Sequence, residues 1–293
     1  GTVAAAPGIG VRLHLARGDP LHQPGQHPEH IVLQQCQLLP VCQIAGNVWE
    51  EIQAGAFRPV CFELNFSRNH GDLPPLTLQE GGVTLSVSGK IDRVDGYIRG
   101  NTLYLKVVDY KTGKKEFRLS DVLYGLNLQM FLYLMMLKQS GPAALDSFSG
   151  CGGVQRTEPC GARYVPAKTP YLFREPGETD EKFQSRLDQE LRRIGLVRDD
   201  GDLLEAMEHG GRFRFLPVSL KKDGSFGERS SLVSALQLNG LLHKTEETLR
   251  RIARQISAGD IEADPYRINW KENACKFCDF RAACHFDTTM EKD

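Results

Sequence analysis

The pattern of apolar and polar positions changes character near residue 47. Upstream, residues 1–46 are rich in Gly, Pro, Gln and His and hold no sustained period, so an irregular segment is expected there. Beyond it, 48–56 reads as a short helix, and the alternation over 59–66 suits a strand. Two more strands are predicted at 83–94 and 102–110, with turn residues at Asp95-Gly96 and Arg99-Gly100-Asn101 between them, the arrangement of an antiparallel pair. Residues 120–138 predict a helix starting near Leu119 or Ser120; its second half is apolar nearly all round, which marks a buried helix. Residues 139–161 are small and Gly-rich and predict a loop or insertion. A strand at 162–165, helices at 178–194 and 202–208 and a strand at 212–218 follow. A long helix over 230–258 places Leu238, Leu242, Leu249 and Ile252 on one face, interleaved with Lys244, Arg250, Arg251 and Arg254. No internal repeat is visible. The elements add up to a mixed α/β fold in three regions, 1–46, 47–260 and 261–293.

Composition narrows the partners. With 293 residues, 41% hydrophobic and 25% charged, the chain can bury a sizeable core. Its net charge of -1 provides no overall basic field, so any nucleic-acid site must be a local patch. The most apolar stretch, 122–137, is interrupted by Tyr124, Asn127 and Gln129 and is too short to cross a bilayer, so no membrane span is expected. The first ten residues lack a charged region followed by an apolar one, and eight cysteines in a chain this long read as thiols of the reducing cytoplasm, where clustered cysteines bind metal. His14, His22, His27 and His30 match neither a helix face nor a zinc spacing. No Gly-x-x-x-x-Gly-Lys-[Ser/Thr] loop occurs, so ATP hydrolysis would belong to a partner or another region.

The chemistry concentrates on two strands. One carries Gly89-Lys90-Ile91-Asp92-Arg93-Val94-Asp95, and the other ends in Val107-Val108-Asp109-Tyr110-Lys111-Thr112-Gly113. Antiparallel neighbours can bring Asp92 and Asp109 to one end of a sheet, and two carboxylates with the Tyr110 carbonyl make a partial shell for a hard cation such as Mg2+. Side-chain alternation sets Asp109 and Lys111 on one face and Tyr110 on the other. Phosphodiester hydrolysis needs an activated water and neutralised charge; a metal supplies most of this and a nearby ammonium the rest. Singly, each residue reads as an ordinary strand-end side chain; jointly they are a more demanding combination. Gln129 and Tyr133, four apart, share one face of an apolar helix and need polar partners, either backbone or a site.

The Gly-x-Ile-Asp strand, the Asp-Tyr-Lys-Thr-Gly strand end and the Gln129-x-x-x-Tyr133 helix together resemble the RecB-type branch of the PD-(D/E)XK nucleases. A long helix, the Ile-Glu-Ala-Asp-Pro-Tyr segment at 261–266 and the tail Cys275-x2-Cys278-x5-Cys284 sharpen this to the AddB-type nuclease domains of helicase-nucleases. Phe57-Arg58-Pro59 with Phe62-Glu63, Tyr164-Val165-Pro166-Ala167-Lys168 and Leu216-Pro217 to Lys221-Lys222-Asp223-Gly224 fit the same family, so the likeness covers roughly 47–286. The resemblance implies a restriction-endonuclease-like core and Mg2+-dependent exonuclease action on single-stranded DNA or duplex ends in break repair and recombination. It also implies an AddA-type helicase-nuclease partner. Gln129 and Tyr133 would then shape the site. Cys275, Cys278 and Cys284 would hold a [4Fe-4S] cluster with one upstream cysteine.

Two departures from the family stand out. No upstream cysteine lies in the expected context, Cys36, Cys42 and Cys61 being the stand-ins, and 1–46 do not supply the family's Gly-x-x-x-His helix. Glu63 is the candidate for an extra acidic contributor, with an ordinary surface carboxylate as the alternative. Lys111, Lys114, Lys115 and Arg118, with Lys221 and Lys222, are candidate phosphate contacts, or else a solvated basic face. The competing functional readings are a weakly catalytic DNA-binding or assembly module of the same fold and a standalone RecB-like nuclease.

Overall fold

The computed structural model describes residues 42–113, 116–149, 153–167, 172–211, 213–228, 230–267, 273–284 and 286. The four upstream histidines, Cys36, Lys114, Lys115 and Lys168 lie outside them. The chain is helical over 42–53 (α1), so the first helix starts earlier than the sequence pattern predicts and takes in the end of the segment read as irregular.

The alternation near residue 60 becomes β1 (Arg58–Phe66), which turns Cys61, Leu64 and Phe66 into the core. The single strand predicted at 83–94 is two. Leu76–Glu80 (β2) and Val83–Val87 (β3) form a separate hairpin, closed by Gly81 and Gly82 at positive φ as a two-residue turn requires. Gly89–Arg99 (β4) then joins the main sheet. Asp95 and Gly96, read as a turn, lie inside β4. Asp95 is buried on a lysine of the next strand, and Gly96 is where a Cβ would meet Val60 and Leu103 at 2.9 and 3.0 Å. The reversal comes at Gly100, before β5 (Thr102–Lys111).

β5 is buried over most of its length and runs parallel to β6 (Arg156–Pro166). A parallel pair needs a crossover, here α2 (Leu119–Leu123) and α3 (Gln129–Ser149). The continuous helix predicted over 120–138 is therefore broken: Gly125 and Asn127, both at positive φ, lead the chain out of α2 before α3 restarts at Gln129. α3 continues to Ser149 through a kink at Gly141-Pro142, where the proline lacks an N–H to donate, so most of the predicted loop is helix and strand.

After α4 (Asp180–Glu190), capped by Thr179, the chain enters β7 (Ile194–Arg198), a strand that begins at the last residue of the predicted helix 178–194. α5 (Gly201–Met207) is capped by Asp200. Of the strand predicted at 212–218, the described residues 213–218 form no ladder; Phe215, Leu216 and Val218 are buried in irregular chain, tied down by Glu208, which accepts from the Arg214 and Phe215 amides at 2.5 and 2.9 Å. Leu232–Val233 (β8) and α6 (Ala235–Ser257) follow, Ser234 and Gln237 closing a reciprocal cap, and a one-turn helix, α7 (Arg281–Cys284), comes last among the described elements.

The sheet order is β1-β4-β5-β6-β7-β8, with β5–β6 and β7–β8 parallel and the other neighbours antiparallel. α3 and α6 cover one face over the main core, in which Ile91, Val94, Val107, Phe131, Leu134 and Leu238 meet. On the other face Phe57 and Tyr104 pack with Leu203, Leu204 and Met207 of α5. No helix among the described residues is long and apolar enough to cross a membrane.

Gly195 fixes how closely β7 approaches β6. Its φ is +145° and a Cβ would stand 2.1 Å from the Ala162 carbonyl oxygen, which is backbone and cannot move aside. Gly195→Ala is expected to cost roughly 1–3 kcal/mol in backbone strain, before any loss of pairing. Urea unfolding would read this as a lower midpoint with an unchanged slope; an unaltered midpoint would contradict it.

Candidate active site

The register of β4 and β5 builds the site. Arg93 pairs with Val108, which sets Asp92 beside Asp109 across the two strands. Asp92 Oδ2 accepts the Tyr110 amide N–H at 2.8 Å, so one carboxylate is oriented by the backbone of the strand carrying the other. β4 begins at Gly89 and does not end at Asp95, so Asp92 lies near the start of its strand and Asp109 near the end of the next; antiparallel pairing still puts both at one end of the sheet.

Lys111 follows two residues on, its Nζ 2.6 Å from Asp109 Oδ2 and 3.5 Å from Gln129 Oε1. Gln129 in turn donates from Nε2 to the Tyr133 hydroxyl at 2.9 Å. The first turn of α3 thus faces the strand ends, and Gly89 permits the approach, since a Cβ there would meet Tyr133 Cε1 at 3.1 Å. The polar partner of the Gln129–Tyr133 pair is therefore Lys111 rather than backbone.

Tyr164, paired with Asp109 on β6, supplies a residue that sequence reasoning missed: its ring lies under the Lys111 ammonium, 5.7 Å from ring centre to Nζ. Burial and the neighbouring Asp109 push the Tyr164 hydroxyl above its ordinary range, and burial does the same for Tyr133, so both remain neutral hydroxyls. Only the parallel β5–β6 register brings Tyr164 here, and no local pattern announces that register.

Burial also raises Asp92; the Tyr110 N–H opposes the shift, while the negative charges of Asp109 and Glu63 add to it. Two carboxylates crowded in this way gain from a shared cation. Asp109 Oδ2 is sealed from solvent and accepts no well-directed hydrogen bond, Lys111 standing at ion-pair distance. Among the described residues no three His, Cys, Asp or Glu side chains gather as a metal cage. Two carboxylates and a strand-end carbonyl fit a hard dication that keeps several waters, such as Mg2+, better than a four-ligand zinc site.

Glu63 is also drawn in. It has φ +55° in the middle of β1, between Phe62 opposite Arg93 and Leu64 opposite Ile91, and so stands across from Asp92. Its carboxylate is ion-paired with Lys90. Arg118 is half-exposed and paired with Glu116, and Lys221 and Lys222 are exposed in a turn.

The cysteine tail folds as two short helical turns, Ala274–Phe277 and Arg281–Cys284. Cys275 is buried in a 3-10 turn over Ala274–Phe277, while Cys278 and Cys284 are exposed. Its anchor is Tyr266, whose carbonyl accepts from the Ala274 amide and whose ring packs on Tyr124 with ring centres 5.2 Å apart. Cys42 is exposed on α1 and Cys61 is a core residue of β1.

Behind the site, on the opposite face, lies an ionic cluster that the sequence did not announce. Glu51 of α1 takes Arg163 Nη2 at 2.6 Å, Arg193 at 2.8 and 3.0 Å and Arg93 Nη2 at 3.4 Å. Asp95 takes Arg93 at 2.9 and 3.1 Å and Lys106 at 3.1 Å. Arg93 also donates to the Tyr110 hydroxyl at 2.7 Å. The six charged side chains are all buried.

An ATP-dependent helicase/deoxyribonuclease subunit, of the B type, from Acetivibrio thermocellus is 32% identical over 256 residues, covering 85% of this chain and 22% of that protein. The proteins of the same name from Thermoanaerobacter sp. and Clostridium botulinum are 30% and 32% identical, each with 21% of its length covered. The chain therefore spans about a fifth of the length of these curated relatives. Residues 18–285 match the PD-(D/E)XK nuclease superfamily, a range that contains every candidate site residue and the whole sheet, and the chain belongs to that superfamily.

Proposed function

We propose that this chain is a Mg2+-dependent deoxyribonuclease domain that cuts DNA exonucleolytically at single-stranded or duplex ends. The convergence of Asp92, Asp109 and Lys111 at one end of the β4–β5 pair carries the reading. Asp92, Asp109 and the Tyr110 carbonyl would hold the metal, which when bound neutralises phosphate charge and activates a water. Lys111, held by Asp109 and Gln129 above the Tyr164 ring, presents an ammonium to the scissile phosphate or the attacking water. Tyr133, neutral and tied to Gln129, positions the strand.

The similarity to these helicase/deoxyribonuclease subunits supports an AddA-type helicase-nuclease partner; the family resemblance extends this to break repair and recombination, and the cysteine usage to work in the cytoplasm. Cys275, Cys278 and Cys284 are the proposed thiolates of a [4Fe-4S] cluster, its fourth ligand unassigned. Region 261–293 would be that cluster segment and 47–260 the nuclease proper.

The test is degradation of end-labelled single-stranded DNA with Mg2+, with EDTA, and by Lys111→Ala. Cleavage abolished by EDTA and reduced roughly 10²–10³-fold by the substitution is expected. A folded wild-type chain that leaves the DNA intact would replace this reading with that of a DNA-binding or assembly module. Copurification with a helicase partner separates the partnered enzyme from a standalone one.

A further inference from the structure

We infer that Arg93 is a positioning residue for the metal site, acting through Tyr110 from the opposite face of the sheet and held in turn by Glu51 on α1. The inference rests on the metal-dependent reading above. Tyr110 connects the two faces because its backbone and side chain serve different ones. Its amide N–H orients Asp92 at 2.8 Å, its carbonyl lies between Asp109 and Lys111 in sequence, and its ring points away from both.

The ring is held at its far end. Arg93 Nη1 donates to the hydroxyl at 2.7 Å, and the same guanidinium is locked by Asp95 at 2.9 and 3.1 Å and by Glu51 at 3.4 Å. Arg93 is wholly buried and packs 5.6 Å from the centre of the Tyr110 ring, so it has one arrangement available. A planar fork that meets three partners at once cannot be reproduced by a lysine. The end of β5, where candidate ligands occupy both the backbone and Asp109, is thereby fixed from behind. Groups that orient metal ligands in this way typically change metal affinity 10–100-fold when removed.

The experiment is Mn2+ binding to the chain, read by the loss of free-ion EPR signal, alongside the Mg2+ dependence of cleavage. The variants are Tyr110→Phe, Arg93→Lys, Asp109→Asn and Leu204→Ala. Tyr110→Phe keeps the ring and removes only the hydroxyl; it is expected to weaken the Asp109-dependent Mn2+ binding about 10–100-fold and to raise the half-saturating Mg2+ in parallel. Arg93→Lys shifts both in the same direction. Leu204→Ala loosens the α5 cluster, which contains neither Arg93 nor Tyr110, and is expected to lower the melting temperature with wild-type Mn2+ affinity, which separates positioning from general destabilisation. Wild-type affinity in folded Tyr110→Phe overturns the inference and leaves the nuclease reading intact. Wild-type affinity in Asp109→Asn puts the cation elsewhere and overturns both.

Discussion

Replacing Glu51 by alanine is expected to remove roughly 3–5 kcal/mol of stability, the cost of breaking a buried ion pair from one side. Two carboxylates, Glu51 and Asp95, face four buried cations, Arg93, Lys106, Arg163 and Arg193. Glu51 serves three of them, and its loss strands Arg163 and Arg193 beneath α1. For a chain of this size the fall corresponds to about 6–20 °C in Tm. The excess of positive charge is already felt: burial, with Arg163 next, lowers the pKa of Lys106 to about 8.

The same cluster sets an acid limit. Burial alone would raise Glu51, yet Arg163, Arg193, Arg93 and Lys106 together hold it far below the ordinary carboxylate range. A depressed folded-state pKa contributes stability that is present above the unfolded value, about 4.3, and is lost as pH falls from there toward the folded value. Wild-type urea midpoints should therefore drop steeply below about pH 4, and those of Glu51→Gln should start lower and fall less. Parallel pH profiles for the two proteins would contradict the assignment.

Asp109→Asn is expected to have the opposite balance, a loss of metal-dependent cleavage of roughly 10²–10³-fold or more with no loss of metal-free stability. Asp109 is buried beside the raised Asp92 carboxylate, so an amide of the same shape relieves repulsion while removing a metal oxygen. Part of that relief is offset by the lost attraction to Lys111, 2.6 Å away, whose side chain is a third exposed and contributes less. Single-turnover cleavage and metal-free thermal melting read the two sides. Full activity in a folded Asp109→Asn would remove this carboxylate from the site.

Much of the candidate site is legible in the sequence because its residues are brought together locally. Asp92, Asp109 and Lys111 belong to consecutive strands, so one hairpin and side-chain alternation bring them together, and the i,i+4 spacing of Gln129 and Tyr133 survives wherever the helix starts. What escaped depends on distant pairing. β6 is buried on both faces, so it lacks the alternation that marks a half-exposed strand; the sequence pattern predicts only its last part, 162–165, and nothing local places Tyr164 beside Lys111. Asp95-Gly96 looks like a turn because the sequence cannot reveal that Lys106 awaits the carboxylate and Val60 the missing Cβ. The break between α2 and α3 rests on Asn127 at positive φ, a choice the apolar run around it conceals. Arg93 and Arg163 on strands, Glu51 on α1 and Arg193 just before β7 are far apart in sequence, and no local pattern links them until the fold gathers them on one face.

The parallel join of β5 to β6 also dictates an order of assembly. The β4–β5 hairpin is local and can close as soon as residue 111 is made, carrying both carboxylates and the lysine. Its partner edge waits for Arg156, 54 residues after Thr102, so the central strand of a growing chain passes through a stage with one side unsatisfied. At that stage the acidic pair exists without the Tyr164 wall, and the exposed edge is open to pairing with another chain. The crossover through α2 and α3 thus makes the carboxylate-bearing hairpin an early part of the domain to form and one open to misassociation before synthesis reaches β6.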